Sequence, residues 1–536
     1  MFENRKKIRE RLEGSFGKAK EDSFYFESIE KYFRNKDHTQ AYQVLSDKTC
    51  NDLDFNELFT YIDRTTSKVG QQYFYNTLRT IPSNCDKLAE QEKLIGLITK
   101  DSNLRLNLQV QLDTLSGENT SYIRSLFQDE HIRKPKWFFV IPILSFSSFL
   151  SIILIPFTPQ FFFVLLGLVI INMVIHYWNK QNLYGYIGSL PQLLRLNGVA
   201  KEFLKYDELK SISADLPESV NVIDRVRRRM SLFKLEAKLQ SDIGIAFWSL
   251  LEIFKALFLL EPLLLFGVLK QLDTKRREIE NVFSFVGYVD TLVSIASLRK
   301  GLSLFCLPSV EDKSKIYDAT DMYHPLIADC VQNSIQVNDK SILLTGSNMS
   351  GKTSFIRTIG LNAITGLTIN TCFARSLSLS RSKIYSAIRL SDDLMNNKSY
   401  YFEEVLTIKE MIEMSQNGTS NLFLLDEIFK GTNTIERISA GKAVLSYLNT
   451  KNNIVFVSTH DIELADMLNE AYELYHFSEQ VDNKNVDFDF KLKNGKLKNR
   501  NAIRILEIND YPKEIITEAI EISKELDKVF VENKLV

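Results

Sequence analysis

The sequence predicts a mixed architecture: a helical body, interrupted by a membrane-type helical hairpin, followed by an α/β domain. Three observations predict it. Residues 1–130 and 183–310 carry apolar side chains at three- and four-residue spacing with few glycines, as amphipathic helices do. Between them, residues 137–157 and 160–178 form two runs without a charged side chain. From about residue 311, short β-branched runs alternate with helical stretches, the texture of strands and crossover helices. The expected domains are 1–130 (helical), 131–182 (hairpin), 183–310 (helical core and lever), 311–505 (α/β) and 506–536, a C-terminal helix opened by Pro512.

The hairpin rests on length and flanks. At 1.5 Å per residue the two uncharged runs measure about 31 and 28 Å, each close to one hydrocarbon thickness. Arg133, Lys134 and Lys136 precede the first run and Lys180 follows the second, while the connection is uncharged. Trp137, Tyr177 and Trp178 stand where an interfacial aromatic belt would lie. Both ends of the hairpin then face the cytoplasm. A third apolar stretch, 243–269, contains Glu252, Lys255, Glu261 and Pro262. Each charge at a bilayer centre costs about 2.5–3.5 kcal/mol, so this stretch is read as a long core helix, at most touching the membrane surface.

Composition excludes several classes. Sixty-six basic against sixty-seven acidic residues leave a formal charge of −1, so no chain-wide basic field exists for nucleic acid. The local runs at 225–229 and 275–277 are either solvated helix faces or phosphate or headgroup contacts. Cys50, Cys85, Cys306, Cys330 and Cys372 lie far apart without a Cys-x-x-Cys pair, which disfavours a disulfide scaffold or zinc module. The charged N-terminal stretch has no signal-type apolar segment.

The chemistry concentrates in three strand ends. The apolar run 341–345 enters Gly346-Ser347-Asn348-Met349-Ser350-Gly351-Lys352-Thr353, with Ser354 opening a helical stretch. This is the P-loop pattern: glycines let backbone N–H groups turn towards phosphate oxygens, and the following helix offers its positive end to the same anion. Lys352 reaches the β- and γ-phosphates, and the Thr353 hydroxyl is a magnesium ligand. The apolar run 422–425 ends in Asp426 and Glu427, a Walker-B arrangement in which Asp426 holds magnesium and Glu427 polarises the attacking water. The run 454–459 ends at His460, a candidate sensor of the γ-phosphate. The motifs imply ATP and Mg²⁺, with Glu427, His460 and Lys352 catalytic.

These residues resemble the MutS mismatch-repair ATPases. TGSNMSGKTS (345–354) is similar to that family's P-loop, and LLDEIFKGTNTIER (424–437) to its Asp-Glu and the segment after it. HPL (324–326), SDDL (391–394), SYYFEEV (399–405) and STH (458–460) follow in the family's order. Ile62-Asp63-Arg64-Thr65, Gly70 and Leu78-Arg79 resemble the start of its helical core. The resemblance implies an ABC-like ATPase domain that dimerises with both nucleotides at the interface; no LSGGQ-type transporter signature is present. It implies that Asn348 lines the phosphates, that Ser399 reaches the partner's nucleotide, and that 432–434 lie near the dimer contact. The chain also departs from the family. About fifty residues precede the core-like segment, too few for a mismatch-reading domain, and no Phe-x-Glu wedge stands there. Residues 397–400 read Asn-Lys-Ser-Tyr where the family has Gly-Arg-Ser-Thr. The hairpin falls where mismatch-repair members carry a DNA-clamping insertion.

The expected function is a membrane-anchored, homodimeric ATPase that binds DNA in an ATP-dependent way without classical mismatch reading. Its ATPase domain and N-terminus would lie on the cytoplasmic side of the cell membrane. The alternative is an ATP-driven membrane switch or scaffold whose ligand is a protein or a lipid.

Overall fold

A computed structural model describes residues 2–84, 87–225, 253–312, 315–347, 349–389, 400–481, 486–497, 502–509 and 511–532. The chain forms two units. The first comprises residues 1–38, 62–77 and 86–301; the second comprises 39–61, 78–85 and 302–536.

The first unit is helical. Its centre is the helix Arg276–Gly301, long and apolar enough to cross a membrane but with 83% of its apolar window buried in protein. Val282, Phe283, Val286, Val289 and Leu292 of this helix are buried. Asp290 on the same helix is also buried and accepts the backbone N–H groups of Thr66 and Ser67, at 2.9 and 2.7 Å, and the Ser67 hydroxyl at 2.6 Å. A Cβ on Gly70 would lie 2.1 Å from the Asp290 carboxylate, so this close approach requires glycine. Nearby, buried Asp63 accepts Lys20 Nζ at 3.1 Å, Thr65 N at 2.8 Å and Gln71 Nε2 at 2.9 Å. The 62–70 segment singled out in the sequence is thus a polar helix start in which the backbone N–H groups of residues 64–68 and 70 are satisfied.

The hairpin is present as two helices, Val140–Leu154 and Phe161–Ile187. The first ends three residues short of the uncharged run, and a turn follows at 155–157. Two stretches, Lys136–Leu154 and Phe161–Lys180, are long and apolar enough to span a membrane, with only 22% and 11% of their apolar windows buried. Phe146, Phe149, Phe163 and Ile170 are exposed, whereas the polar Ser148, Asn172 and Asn179 are fully buried. Polar side chains turned inward and apolar ones outward are the reverse of a water-soluble pattern. The rings of Trp137 and Trp178 lie 4.9 Å apart at the open end of the hairpin.

One expectation is corrected here. The stretch 243–269 is not one long helix: within its described part the helix stops at residue 257, Leu259 has φ +48°, and a new helix runs Leu260–Asp273. Pro262 falls in the first turn of that helix, where its missing N–H costs no hydrogen bond. Residues 243–252 lie outside the described residues, as do 226–229 of the first basic run.

The second unit carries the strands β1 (Ala41–Val44), β2 (Thr80–Pro82), β3 (Ser309–Glu311), β4 (Ile316–Met322), β5 (Asn333–Asn338), β6 (Ser341–Thr345) and β7 (Ser376–Ser380). These are followed by β8 (Lys383–Ala387), β9 (Asn421–Asp426), β10 (Ile454–Thr459), β11 (Tyr472–His476), β12 (Glu479–Val481), β13 (Val486–Phe488) and β14 (Lys493–Asn494). A six-stranded sheet has the order β14-β11-β6-β10-β9-β8, parallel except for the β14 edge. A four-stranded sheet, β3-β7-β4-β5, and the pairs β1-β2 and β12-β13 complete it. Every residue of β6 and β10 is buried, as in parallel strands covered on both faces, which is why they read as unbroken apolar runs. Phe423, Leu425, Val455 and Val457 pack on one face with Ile408, Met411, Leu445 and Leu448 from the helices Tyr400–Ser415 and Thr434–Leu448. The helix Lys352–Ile369 packs against β9 and β10. The expected C-terminal helix is Lys513–Glu532.

The sequence assigned 39–61 and 78–85 to the N-terminal helical region; they pack in the second unit instead. Asp52 explains part of this, since its carboxylate accepts Ser386 Oγ at 2.7 Å and the N–H groups of Ile388 and Arg389 at 3.1 and 2.9 Å. Gln43 exchanges two hydrogen bonds of 2.7 Å with the backbone of Ile384.

Candidate nucleotide site

The site forms at the carboxyl ends of β6, β9 and β10, where parallel α/β sheets bind ligands. The loop after β6 turns on unusual backbone. Gly351 has φ +104° and caps the helix Lys352–Ile369, and Met349 has φ +71° with its side chain 83% exposed. Ser350 Oγ donates to Ser347 O at 2.8 Å and closes the loop on itself. Lys352 is buried, and its Nζ donates to the carbonyls of Gly346 and Ser347, both at 2.8 Å. Burial pulls its ammonium below the ordinary lysine range, while the charges of Glu427 and Asp426 oppose that shift.

β9 and β10 supply the acidic side. Thr353 Oγ1 donates to Asp426 Oδ2 at 2.7 Å, and Ser458 contacts the other oxygen of the same carboxylate. A hydroxyl and a carboxylate adjacent to a phosphate loop are the hard oxygen donors that magnesium takes, with phosphate and water completing its shell. These two residues fit the ion. Among the described residues no group of three or more His, Cys, Asp or Glu side chains is arranged to hold a metal by itself.

Glu427 follows with φ +51°, its N–H donating to Ser458 O at 2.9 Å. Its carboxylate contacts His460 Nε2 through one oxygen and Lys430 Nζ through the other. Burial raises this carboxyl, but hydrogen bonds and charge from His460 and Lys430 outweigh it and hold the group at about 2. His460 Nδ1 lies 3.0 Å from Gly346 O, so the imidazole bridges the P-loop and the Walker-B end. Non-glycine residues with positive φ at 349, 427 and 429 cluster here, as strained backbone does at functional sites.

The structure thus brings Gly346, Ser347, Met349, Ser350, Gly351, Lys352, Thr353, Asp426, Glu427 and His460 to one sheet edge, and Ser354 lines the adjoining cleft. Asn348, Ser399 and the 391–394 motif lie outside the described residues. Several contributors carry no spacing signal. A cleft of about 400 Å³ opens beside Lys352 and Thr353, walled by Tyr323, His324, Ile327, Met349, Phe477 and Phe490. It is large enough for a nucleoside and aromatic enough to hold a base. His324, the first residue of the HPL motif, accepts Leu326 N at Nδ1 at 3.3 Å, and its pKa is depressed to about 4, by burial first and the Arg357 charge second. Glu479 accepts Ser347 Oγ at 2.7 Å. Glu404, on the helix Tyr400–Ser415, accepts the N–H of Phe429 at 2.5 Å and pins the turn after Glu427. Arg437 makes a two-point ion pair with Asp461, at 2.9 and 2.8 Å, beside His460.

A phosphate-type loop at a helix start, an adjacent hydroxyl–carboxylate pair and an aromatic cleft are together the parts of a P-loop-type domain. The comparisons sharpen that class. Residues 342–527 match the family model described as MutS domain V. The chain is 28% identical over 278 residues to the DNA mismatch repair protein MutS of Fusobacterium nucleatum, covering 46% of this chain and 30% of that protein. It is 27% identical over 274 residues to the MutS of Aquifex pyrophilus, covering 48% and 31%. With the MutS of Pelotomaculum thermopropionicum the identity is 27% over 346 residues, covering 62% and 39%. The chain therefore spans between about a third and two fifths of the length of these relatives.

Proposed function

We propose that this chain is a membrane-anchored MutS-type ATPase that hydrolyses ATP between two copies of its ATPase domain and uses the cycle to control DNA binding. The observation that carries the ATPase reading is the convergence of Lys352, Thr353, Asp426, Glu427 and His460 on one sheet edge. In this reading the P-loop backbone and Lys352 hold the phosphates, and the aromatic cleft holds the base. Thr353 and Asp426 hold magnesium, which supplies charge neutralisation to the phosphates when bound. Glu427 orients the attacking water, and His460 couples the carboxylate to the P-loop carbonyl.

Two copies are proposed because exposed apolar side chains flank the phosphate end. Met349 and Ile435 are 83% and 80% exposed, and Tyr401 and Phe402 are exposed as well. Membrane anchoring is proposed from the outward apolar faces of the two hairpin helices. DNA is the favoured ligand because the relatives are named DNA mismatch repair proteins. One observation favours the second reading, a switch whose ligand is a protein or lipid. In the basic run 275–277, Lys275 is paired with Glu278 and Arg276 with Asp273, so two of its three charges are already engaged within the protein.

The ATPase reading is tested by phosphate release and by binding of a fluorescent ATP analogue to the detergent-solubilised protein. Lys352→Ala is expected to abolish both. A Lys352→Ala protein that binds and turns over ATP like the wild type would overturn the site.

A further inference from the structure

We propose that residues 253–266 are set into the bilayer: a helical stretch that ends at residue 257, a turn below the interface, then a second helix that rises to the interface. The proposal rests on the hairpin spanning a membrane. The depth follows from named contacts. Trp137 and Trp178 face each other at one end of the hairpin and mark an interface. Ser145 lies eight residues beyond Trp137, about 12 Å deeper, and Asn172 lies six residues before Trp178, about 9 Å deeper. These two side chains reach the break in the third apolar stretch. Asn172 Nδ2 donates to Leu257 O and Ser145 Oγ donates to Phe258 O, both at 2.8 Å. The carbonyls freed where the helix stops are therefore satisfied about 10 Å inside the interface. Irregular backbone survives at membrane depth only where protein groups satisfy it in this way.

The return path has a direction. Leu259 packs in one apolar cluster with Ile141 and Phe138, and the Phe266 ring lies 5.1 Å from that of Phe138, next to Trp137. Six residues separate Leu260 from Phe266, about 9 Å of helix, which matches the depth of the turn. The helix then leaves the apolar layer: Asp273 at its end pairs with His131 and Arg276, at 3.0 and 2.7 Å. The two charges of the element face inward and neutralise each other. Lys255 Nζ meets Glu261 Oε1 at 2.9 Å, and His176 Nδ1 of the hairpin lies 3.6 Å from Glu261 Oε2, all three side chains nearly excluded from the surface. Outward, Ile253 and Phe254 are half exposed, as are the hairpin residues Phe146 and Phe149. An apolar outer face, a paired charged inner face and a turn below the aromatic belt commit the outer face to lipid hydrocarbon.

Tryptophan fluorescence in liposomes made with brominated phosphatidylcholine tests this. The native tryptophans are replaced in the full chain (Trp137→Phe, Trp178→Phe, Trp248→Phe), and single tryptophans are introduced by Phe254→Trp, Ile253→Trp or Phe149→Trp. Phe149→Trp, in the middle of the first hairpin helix, reports the hairpin alone. The expected result is strong quenching of Phe149→Trp by deep bromines, and a comparable loss for Phe254→Trp and Ile253→Trp from bromines placed nearer the headgroups. Quenching of Phe149→Trp with both other positions unquenched would overturn the bilayer-set turn and leave the hairpin standing, whether those positions emit as water-exposed or as covered by another protein. No quenching at any of the three would overturn the hairpin itself.

Discussion

Glu427 combines a positive φ, contacts from Lys430 and His460 on its two carboxylate oxygens, and a carboxyl held at about 2. A group that acidic is a poor proton sink, so in the proposed hydrolysis its part would be to accept a hydrogen bond from water and align it. Glu427→Gln keeps the shape and removes the charge. It is expected to lower ATP turnover by about 10²–10⁴-fold while ATP binding persists, measured by phosphate release beside equilibrium nucleotide binding. Turnover at the wild-type rate would remove Glu427 from the mechanism. His324 makes a different prediction. Its pKa falls from the ordinary 6.5 to about 4 in the folded chain. A depressed pKa gives stability that is present above 6.5 and lost as pH falls through 4. Between pH 6.5 and pH 4, wild type should lose on the order of 2–3 kcal/mol more than His324→Gln, read from unfolding midpoints of the two proteins across that range. Parallel loss in both proteins would show that His324 does not carry the linkage.

At the scale of elements, Gly70 is the sharpest test of the helical unit. Gly70→Ala drives a Cβ to 2.1 Å from the Asp290 carboxylate, which holds the 66–67 backbone. A cost of about 3 kcal/mol and a lower melting temperature are expected; an unchanged melting temperature would contradict the packing. The same scale separates what could be read from sequence. The β6, β9 and β10 runs were legible because a strand buried on both faces is uniformly apolar, and each ends in the polar residues that make the site. The walls of the cleft were not. Tyr323, Phe477 and Phe490 come from distant segments, and an aromatic residue reads as core until the fold gathers it. Glu404 was hidden for a similar reason, as one glutamate on a helix whose partner is a backbone N–H near residue 429. The break at 258–259 left no mark because Pro262 sits where a new helix tolerates it, and the residues that satisfy the break lie on the hairpin. Residues 39–61 read as more helix; only the contacts of Asp52 and Gln43 reveal which unit they serve.

For the whole molecule, the proposed function pairs a candidate ATPase site with a candidate membrane hairpin and assigns the pair a ligand. If the apolar outer faces meet lipid, replacing exposed Phe146, Phe149 and Ile170 together by serine should release the protein from membranes on alkaline extraction; continued retention would move the anchor elsewhere. The ligand is the central claim. Its most direct test is binding of nanodisc-embedded protein to fluorescent duplex, mismatched and branched DNA, with and without ATP, across a salt series. The account predicts binding that changes with ATP and weakens steeply as salt rises, with no preference for the mismatch. No binding in any nucleotide state, with ATP turnover intact, would contradict it and make a protein or lipid the ligand of the ATPase cycle.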